Sequence, residues 1–489
     1  MTYHTVYNTT IMQNSTKKKK YARRQFLRDS VLAATGFTIV PRHVLGKGFL
    51  APSDTLNIAG IGAGGKGESD LAEFAKSPKA NIVCFADVDD RQIGASVKRF
   101  PKAKIYKDFR EMLDKEAKNI DAVSVSTPDN THAVAALPAM QLGKHVYVQK
   151  PLTHDIYEAR VLTEAAKKYK VVTQMGNQGG SGEGVRRTKE FIDAGTIGDI
   201  TRIDCWTNRP VWPQGLPTPT GQHSIPKELN WDLWLGPAKK IDYNPAYLPF
   251  NWRGWWDFGT GSLGDMACHI MDPVFRCAPI LYPSSVEASM ATLWAKMWDD
   301  TQNPDSCPAS SIIHLTYPRT DGKGDIKVSW YDGGLLPQRP DELAPEEPFG
   351  NWDGGVLFYG TKGKLLADCY GANPRLLPTS RMKDTNPPQT IKRVPEGHYV
   401  QWVNACIDGY GKGFTSSPFD FAGPFTESIL IGNLALRSFQ LKNPKLKGWE
   451  DKWLGRKKLL WDAKNLRVTN FDEANQWVKR EYRDGWKLV

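Results

Sequence analysis

Leu56-Asn57-Ile58-Ala59-Gly60-Ile61 runs directly into Gly62-Ala63-Gly64-Gly65-Lys66-Gly67 and then into a helical stretch through Phe74. A short apolar strand, a GxGxxG turn and a helix, in that order, make a phosphate-binding unit. Gly62 permits the tight turn, Gly64 lets the backbone approach a pyrophosphate, and Gly67 lets the helix pack closely; the helix N-terminus behind Gly65 and Lys66 offers N–H groups and a positive dipole end. The motif alone is weak evidence, but the next strand, Asn81-Ile82-Val83-Cys84-Phe85-Ala86, ends on Asp87. A carboxylate about 20 residues beyond the turn accepts hydrogen bonds from a ribose diol and repels a 2′-phosphate, which favours NAD over NADP. Lys66 and Arg91, as nearby cations, keep NADP as the alternative.

The alternation continues. A helix near 109–118, a strand Ala122-Val123-Ser124-Val125-Ser126 and the turn Thr127-Pro128-Asp129-Asn130-Thr131-His132 form a third unit, and a fourth strand, His145-Val146-Tyr147-Val148, ends at Gln149-Lys150-Pro151. Strands alternating with helices at this interval predict an α/β fold whose N-terminal part, residues 47–175, is a Rossmann domain with a doubly wound parallel sheet. Ligands of such sheets gather outside the carboxyl ends of the strands, where the 127–132 turn and Gln149–Pro151 both fall.

After Met175-Gly176-Asn177-Gln178 the pattern changes. One helix near 185–194, a strand over 200–207 and a Pro- and Trp-rich stretch lead to segments at 310–316, 326–330, 355–359 and 364–367 that read as sheet. A helix near 425–436 follows, so residues 176–489 form a second domain with a C-terminal tail. Within it, Gly259-Thr260-Gly261-Ser262-Leu263-Gly264-Asp265-Met266-Ala267-Cys268-His269 places glycines ahead of a helix. Asp265 and His269 stand four residues apart, hence on one face, where both can address one bound molecule. An isolated pair of this kind is more often a core histidine beside a surface acid; its company decides otherwise here.

Composition sets the outer limits. At 489 residues and 40% hydrophobic, the chain can bury a sizeable core and is long enough for two domains. The formal charge is +11, but residues 1–47 hold nine Lys or Arg against one Asp, a net +8, leaving +3 for the remainder. That balance predicts no nucleic-acid partner. Seven widely spaced cysteines without a CxxC or Cys/His pattern read as buried thiols, with no metal site. Of 17 tryptophans, Trp206, Trp212, Trp231, Trp234, Trp252, Trp255 and Trp256 crowd together, and such rings either fill core or face a sugar ring.

These motifs together resemble the Gfo/Idh/MocA family, that of glucose-fructose oxidoreductase, inositol dehydrogenase and the rhizopine-catabolism protein, over most of residues 55–440. Gly62–Gly67 stands for the glycine turn, Thr127–His132 for a TPxxxH turn, Gln149-Lys150-Pro151 for an EKP motif, and Gly259–His269 for GxGxLxDxxxH. One position departs: Gln149 replaces the usual Glu and carries no charge. The resemblance implies an NAD(P)-dependent oxidoreductase acting on a secondary hydroxyl of a sugar, glycoside or cyclitol. It also implies a C-terminal α/β substrate domain on a large, mostly antiparallel sheet, and a homodimer or homotetramer. Cofactor contacts then fall to Thr127, Pro128, Asn130, His132, Gln149, Lys150 and Gln178 beside the glycine turn and Asp87. The catalytic set is Lys150, Asp265 and His269. His269 can titrate near neutrality and is the candidate base. Asp265 would hold the sugar hydroxyl and orient the imidazole, and Lys150 would stabilise alkoxide charge; Lys150 and His269 can exchange roles. Trp252, Arg253 and Trp256, just upstream, are expected to border the substrate.

The N-terminal stretch Ala22-Arg23-Arg24-Gln25-Phe26-Leu27-Arg28, followed by an apolar run over 30–40, resembles a twin-arginine export signal within a leader of residues 1–46. It predicts a protein handed to the twin-arginine machinery and placed in the periplasm or outside. The alternative is a basic tail on a cytoplasmic enzyme. That pathway carries folded proteins, so the cofactor is expected to travel tightly bound. Retention raises a second function, an NAD-dependent glycosidase in which transient oxidation at C3 permits elimination and the hydride later returns. A third, a catalytically inactive sugar-sensing protein, is disfavoured by the presence of Lys150, Asp265 and His269.

Overall fold

The computed structural model describes residues 54–297, 299–301, 303–443, 445 and 453–488. The twin-arginine-like stretch around Arg23 and Arg24 lies outside the described residues. The first sheet contains β1 (Leu56–Ile61), β2 (Ala80–Ala86), β3 (Lys104–Tyr106), β4 (Ala122–Val125), β5 (His145–Val148) and β6 (Thr173–Met175), all parallel, in the order β3-β2-β1-β4-β5-β6. The order reverses between β1 and β4, so the ligand crevice opens outside the carboxyl ends of these two strands. Glycine is required there. Gly62 has φ 84, and a Cβ on it would lie 2.5 Å from the Ser126 carbonyl oxygen; a Cβ on Gly67 would lie 2.1 Å from the carbonyl oxygen of Gly62.

Both faces of this sheet are covered, as a parallel sheet requires. Leu56 and Ile58 pack with Leu71 and Phe74 of the helix Lys66–Phe74 and with Trp402, Val403 and Cys406 of the helix Gly397–Asp408, which returns from far along the chain. Ala59 and Ile61 point to the opposite core, shared with the helices His132–Gln141 and Ile156–Tyr169. Asp155 caps the latter by accepting from the Glu158 N–H, and Lys170 ends it in the left-handed region at φ 53.

The second sheet adds β7 (Ile200–Thr207), β8 (Ser285–Met290), β11 (Ser311–Pro318), β12 (Asp325–Tyr331), β13 (Gly354–Gly360), β14 (Gly363–Asp368), β15 (Arg375–Leu377), β16 (Leu459–Asp462) and β17 (Arg467–Val468), with β9 (Leu293–Lys296) and β10 (Asp299–Thr301) pairing separately. Its order is β15-β14-β13-β7-β12-β11-β8-β16-β17, antiparallel except where β7 meets β12. Along β11 the buried Ile313, Leu315 and Tyr317 alternate with less buried residues, the period of a sheet with one inner face. The helix Phe419–Phe439 packs against the helix Ile156–Tyr169 on one side and against β8 and β11 on the other, so one core runs through both sheets. It begins six residues earlier than the sequence pattern predicts; Pro424 forfeits one internal hydrogen bond, but burial on almost every side carries the helix through it.

Most of the crowded tryptophans pack on one another. Trp231 and Trp234 stack at 4.7 Å with ring planes 11° apart, and Tyr243, Tyr247, Trp252, Trp255 and Phe258 complete the cluster. All seven cysteines are buried and free. Among the described residues no helix is long and apolar enough to cross a membrane.

Candidate active site

A cleft of about 330 Å³ opens at the β1/β4 crevice, lined by Gly62, Gly64, Gly65, Lys66, Asp87, Thr127 and Pro128 from the first sheet and by Trp234, Phe250, Trp252 and Arg253 from beyond it. Asp87 Oδ2 accepts from the N–H groups of Ala63 (2.8 Å) and Gly64 (3.1 Å), and its Oδ1 from that of Asp89 (3.0 Å). Burial raises the Asp87 pKa against the pull of these donors. The two nearby cations are already matched: Arg91 grips Asp89 with Nε at 2.7 Å and Nη2 at 2.6 Å, and Lys66 Nζ lies 2.5 Å from Asp70. Asp87 is therefore the acid left at this end of β2 without a cation beside it, a group of the kind that suits a diol. These residues fit NAD(H). Gly65 leaves open space where a Cβ would stand, and the helix Lys66–Phe74 starts there without a side-chain cap.

The carboxyl end of β5 delivers Lys150 to the helix Gly261–Ile270. Its Nζ donates to Asp265 Oδ1 at 2.6 Å and to the Asp265 backbone oxygen at 2.8 Å. Arg253 Nε reaches the same Oδ1 at 3.2 Å while its guanidinium stacks on Phe250 (4.1 Å) and Trp252 (4.3 Å). Arg253 thus joins this cluster to the cleft. Burial alone would push the Asp265 pKa up, but Lys150 and Arg253 hold the carboxyl well below the usual range. His269 is 5% exposed; burial, and then the Lys150 charge, lower its pKa far below the ordinary value despite Asp265. It is neutral at pH near 7, and the same depression weakens it as a proton acceptor.

Asp265 does not orient the imidazole by a hydrogen bond, as the sequence reading expects. Its carboxylate is taken by Lys150 and Arg253, and His269 Nδ1 is buried with no partner. The ring is held by packing, 4.7 Å from the ring of Tyr370, a non-glycine residue kept at φ 64. Such a conformation persists only where its surroundings enforce it.

Beneath the glycine turn lies a network that the sequence reading missed. Asp70, fully buried, accepts from Lys66 Nζ (2.5 Å) and Tyr399 OH (2.8 Å) on one oxygen and from Ser126 Oγ (2.7 Å) and Gln149 Nε2 (2.7 Å) on the other. Gln178 donates to Tyr399 OH at 2.9 Å. The departure at Gln149 now has a cause: an amide donates to Asp70 where a second carboxylate would repel it. The i, i+4 pairing of Lys66 with Asp70 was a legible signal; Tyr399, 329 residues from Asp70, left none.

Several expected contacts are placed elsewhere. Asn130 is fully buried and donates to the Leu235 carbonyl at 2.9 Å, while both ring nitrogens of His132 face carbonyl oxygens, of Pro151 (2.8 Å) and Thr127 (3.0 Å). With Gln149 and Gln178, they brace the cleft from behind and do not line it. Gly67 serves by its closeness to Gly62. Trp252 and Arg253 border the cleft, but Trp256 lines a separate cavity. Asp129 accepts from Thr260 Oγ1 at 2.7 Å, fastening the 127–132 turn to the start of the Asp265 helix.

Two family patterns match the chain: an oxidoreductase-family NAD-binding Rossmann fold over residues 56–177 and an oxidoreductase-family C-terminal alpha/beta domain over residues 185–317. Glycosyl hydrolase family 109 protein 1 of Shewanella sp. (strain ANA-3) is 25% identical over 238 residues, 46% of either chain. Inositol 2-dehydrogenase of Burkholderia multivorans is 33% identical over 155 residues, 31% of this chain and 45% of that one. The chain thus spans less than half the length of these curated relatives. Among solved structures, the WlbA dehydrogenase of Bordetella pertussis, in complex with NADH and UDP-GlcNAcA, shares the fold with a TM-score of 0.53 at 17% identity, covering 78% of this chain and 97% of that one.

Proposed function

The chain belongs to the Gfo/Idh/MocA oxidoreductase family, and from that premise we propose that it is an NAD-dependent oxidoreductase acting on a secondary hydroxyl of a sugar, glycoside or cyclitol. The observation that carries this reading is the Lys150–Asp265–Arg253 cluster, with neutral His269 one turn away, joined to the dinucleotide cleft through Arg253, which lines it, whereas Lys150, Asp265 and His269 do not. NAD(H), when bound, supplies the acceptor or donor of the hydride. Gly62 to Lys66 would hold its pyrophosphate and Asp87 the adenosine ribose, with Thr127 and Pro128 lining the same cleft.

His269 accepts the hydroxyl proton on its imidazole. Lys150, pinned by an ionised Asp265, presents a fixed ammonium to the oxygen as negative charge develops. That pinning favours Lys150 as the charge stabiliser and His269 as the base over the reverse assignment. Arg253, braced by Phe250 and Trp252, closes the wall between cofactor and substrate.

A second reading, net glycoside cleavage by transient oxidation, is supported by the likeness to a glycosyl hydrolase family 109 protein. We also propose export, on the Arg23-Arg24-Gln25-Phe26-Leu27 pattern; a cofactor retained in a folded, exported protein suits such a closed cycle. NAD-loaded protein incubated with a panel of glycosides, cyclitols and free sugars separates the two. Stoichiometric NADH without cleavage supports net oxidation, and aglycone release without NADH accumulation supports the cycle. Neither signal, on any compound, refutes both.

A further inference from the structure

A second cavity, of about 420 Å³, shares no lining residue with the dinucleotide cleft. It lies against Trp256, Asp257 and Thr260, on the loop that leads into the Asp265 helix, and is closed from the other side by Arg437 and Trp477. Arg437 comes from the inner helix Phe419–Phe439. Its guanidinium is stacked 5.4 Å from the Trp256 ring centroid and 4.8 Å from that of Trp477. Among the described residues, none accepts a hydrogen bond from this guanidinium, and it has no ion-pair partner.

A cation left so is costly. Burial pushes the Arg437 pKa down to about 10. With a ring on either side and no protein acceptor among the described residues, the guanidinium keeps N–H groups free, and such a group takes a carboxylate in two parallel hydrogen bonds. Asp257, half-buried, lines the same cavity without pairing to Arg437, and burial raises its carboxyl pKa. An acid there suits hydroxyl donors, and the exposed Lys479 that also lines the cavity is balanced by the exposed Glu481, leaving Arg437 as the group that would hold an anion. The volume falls within the range of small-molecule sites, roughly 300–1,000 Å³.

We propose that this cavity binds a small hydroxy-carboxylate, with its carboxylate on Arg437, a hydroxyl on Asp257 and its carbon frame in the cavity beside them. The site is distinct from the one built on Lys150 and is independent of the function proposed above. Gluconate is the probe, with glucose lacking the carboxylate and acetate lacking the hydroxyls, each titrated calorimetrically into the full chain. Gluconate is expected to bind saturably and at least roughly tenfold more tightly than either control. Arg437→Gln should weaken it by a similar factor, and Lys150→Met should leave it unchanged. If Arg437→Gln does not fold, Asp257→Asn is read instead, and should narrow the preference for gluconate over acetate. The proposal is overturned if gluconate does not saturate, if the three compounds bind alike, or if binding survives Arg437→Gln or Asp257→Asn intact. Loss in Lys150→Met alone also overturns it, by placing gluconate in the active site.

Discussion

Gln149→Glu restores the acid common to the family's motif, and the structure says it should harm this chain. The Gln149 amide donates to Asp70 at 2.7 Å, with Gln149 4% exposed and Asp70 fully buried. Two carboxylates at that separation cannot both ionise, so the introduced group keeps its proton and donates it to Asp70. An ordinary glutamate titrates about 2.7 units below neutrality, and holding its proton at pH near 7 costs roughly 3.7 kcal/mol. Lys66, 2.5 Å from Asp70, offsets part of this, leaving an expected loss of about 2–3.5 kcal/mol. The sign follows from a folded pKa raised above the unfolded one. The penalty is absent below about pH 4.3, grows as pH rises, and levels off above the folded value. Urea unfolding of both proteins at about pH 5 and pH 8 measures it. A difference that is the same at both pH values, or below about 1 kcal/mol at the higher, would refute the carboxylate-pair argument.

Other consequences are independent of that one. Lys150→Met removes the ammonium that faces the reacting oxygen and should lower kcat by roughly 100- to 1,000-fold, with NAD affinity, read by fluorescence titration, changing far less. Asp87→Asn should weaken NAD roughly tenfold while NADP binding improves or holds; equal losses for both cofactors would contradict the diol assignment. Gly67→Ala places a methyl against the Gly62 carbonyl and should cost about 1–3 kcal/mol in urea unfolding, with NAD binding weakened in parallel. His269 is buried with its pKa depressed, so the unfolded chain binds a proton the folded one does not, and stability falls as pH drops below about 6.5. His269→Asn should flatten that fall by up to about 1.4 kcal/mol per pH unit, measured between about pH 6 and pH 5.

The Rossmann half was legible because its signals are local. A glycine turn between an apolar strand and a helix, and an acid at the end of the next strand, are fixed by neighbours in sequence, and β1, β2, β4 and β5 lie where the pattern puts them. The second sheet was legible in its longer strands, such as Asp325–Tyr331 and Gly354–Gly360, whereas β8, β9 and β10 carry no strong alternation and were missed. The site was legible as residue types and not as partners. Lys150, Asp265 and His269 are brought together, but that Asp265 bonds Lys150 and Arg253 in place of His269 depends on a contact across 115 residues. Trp256 lines the other cavity and not the cleft that Trp252 lines, although only two residues separate it from Arg253, because the 3-10 turn Asn251–Gly254 ends between them. Asp70 and Tyr399 form the least predictable part, since their meeting needs the late helix Gly397–Asp408 to fold back on the first sheet.

The most direct test of the hydride assignment is rapid mixing of NAD-loaded protein with glycosides and cyclitols deuterated at their secondary carbinol positions, followed at the NADH absorbance band. The account predicts a burst of NADH approaching one per active site on at least one compound, slowed by deuterium and absent in Lys150→Met. Substrate turnover with no NADH at any time, or a burst that persists unchanged in Lys150→Met, would contradict it.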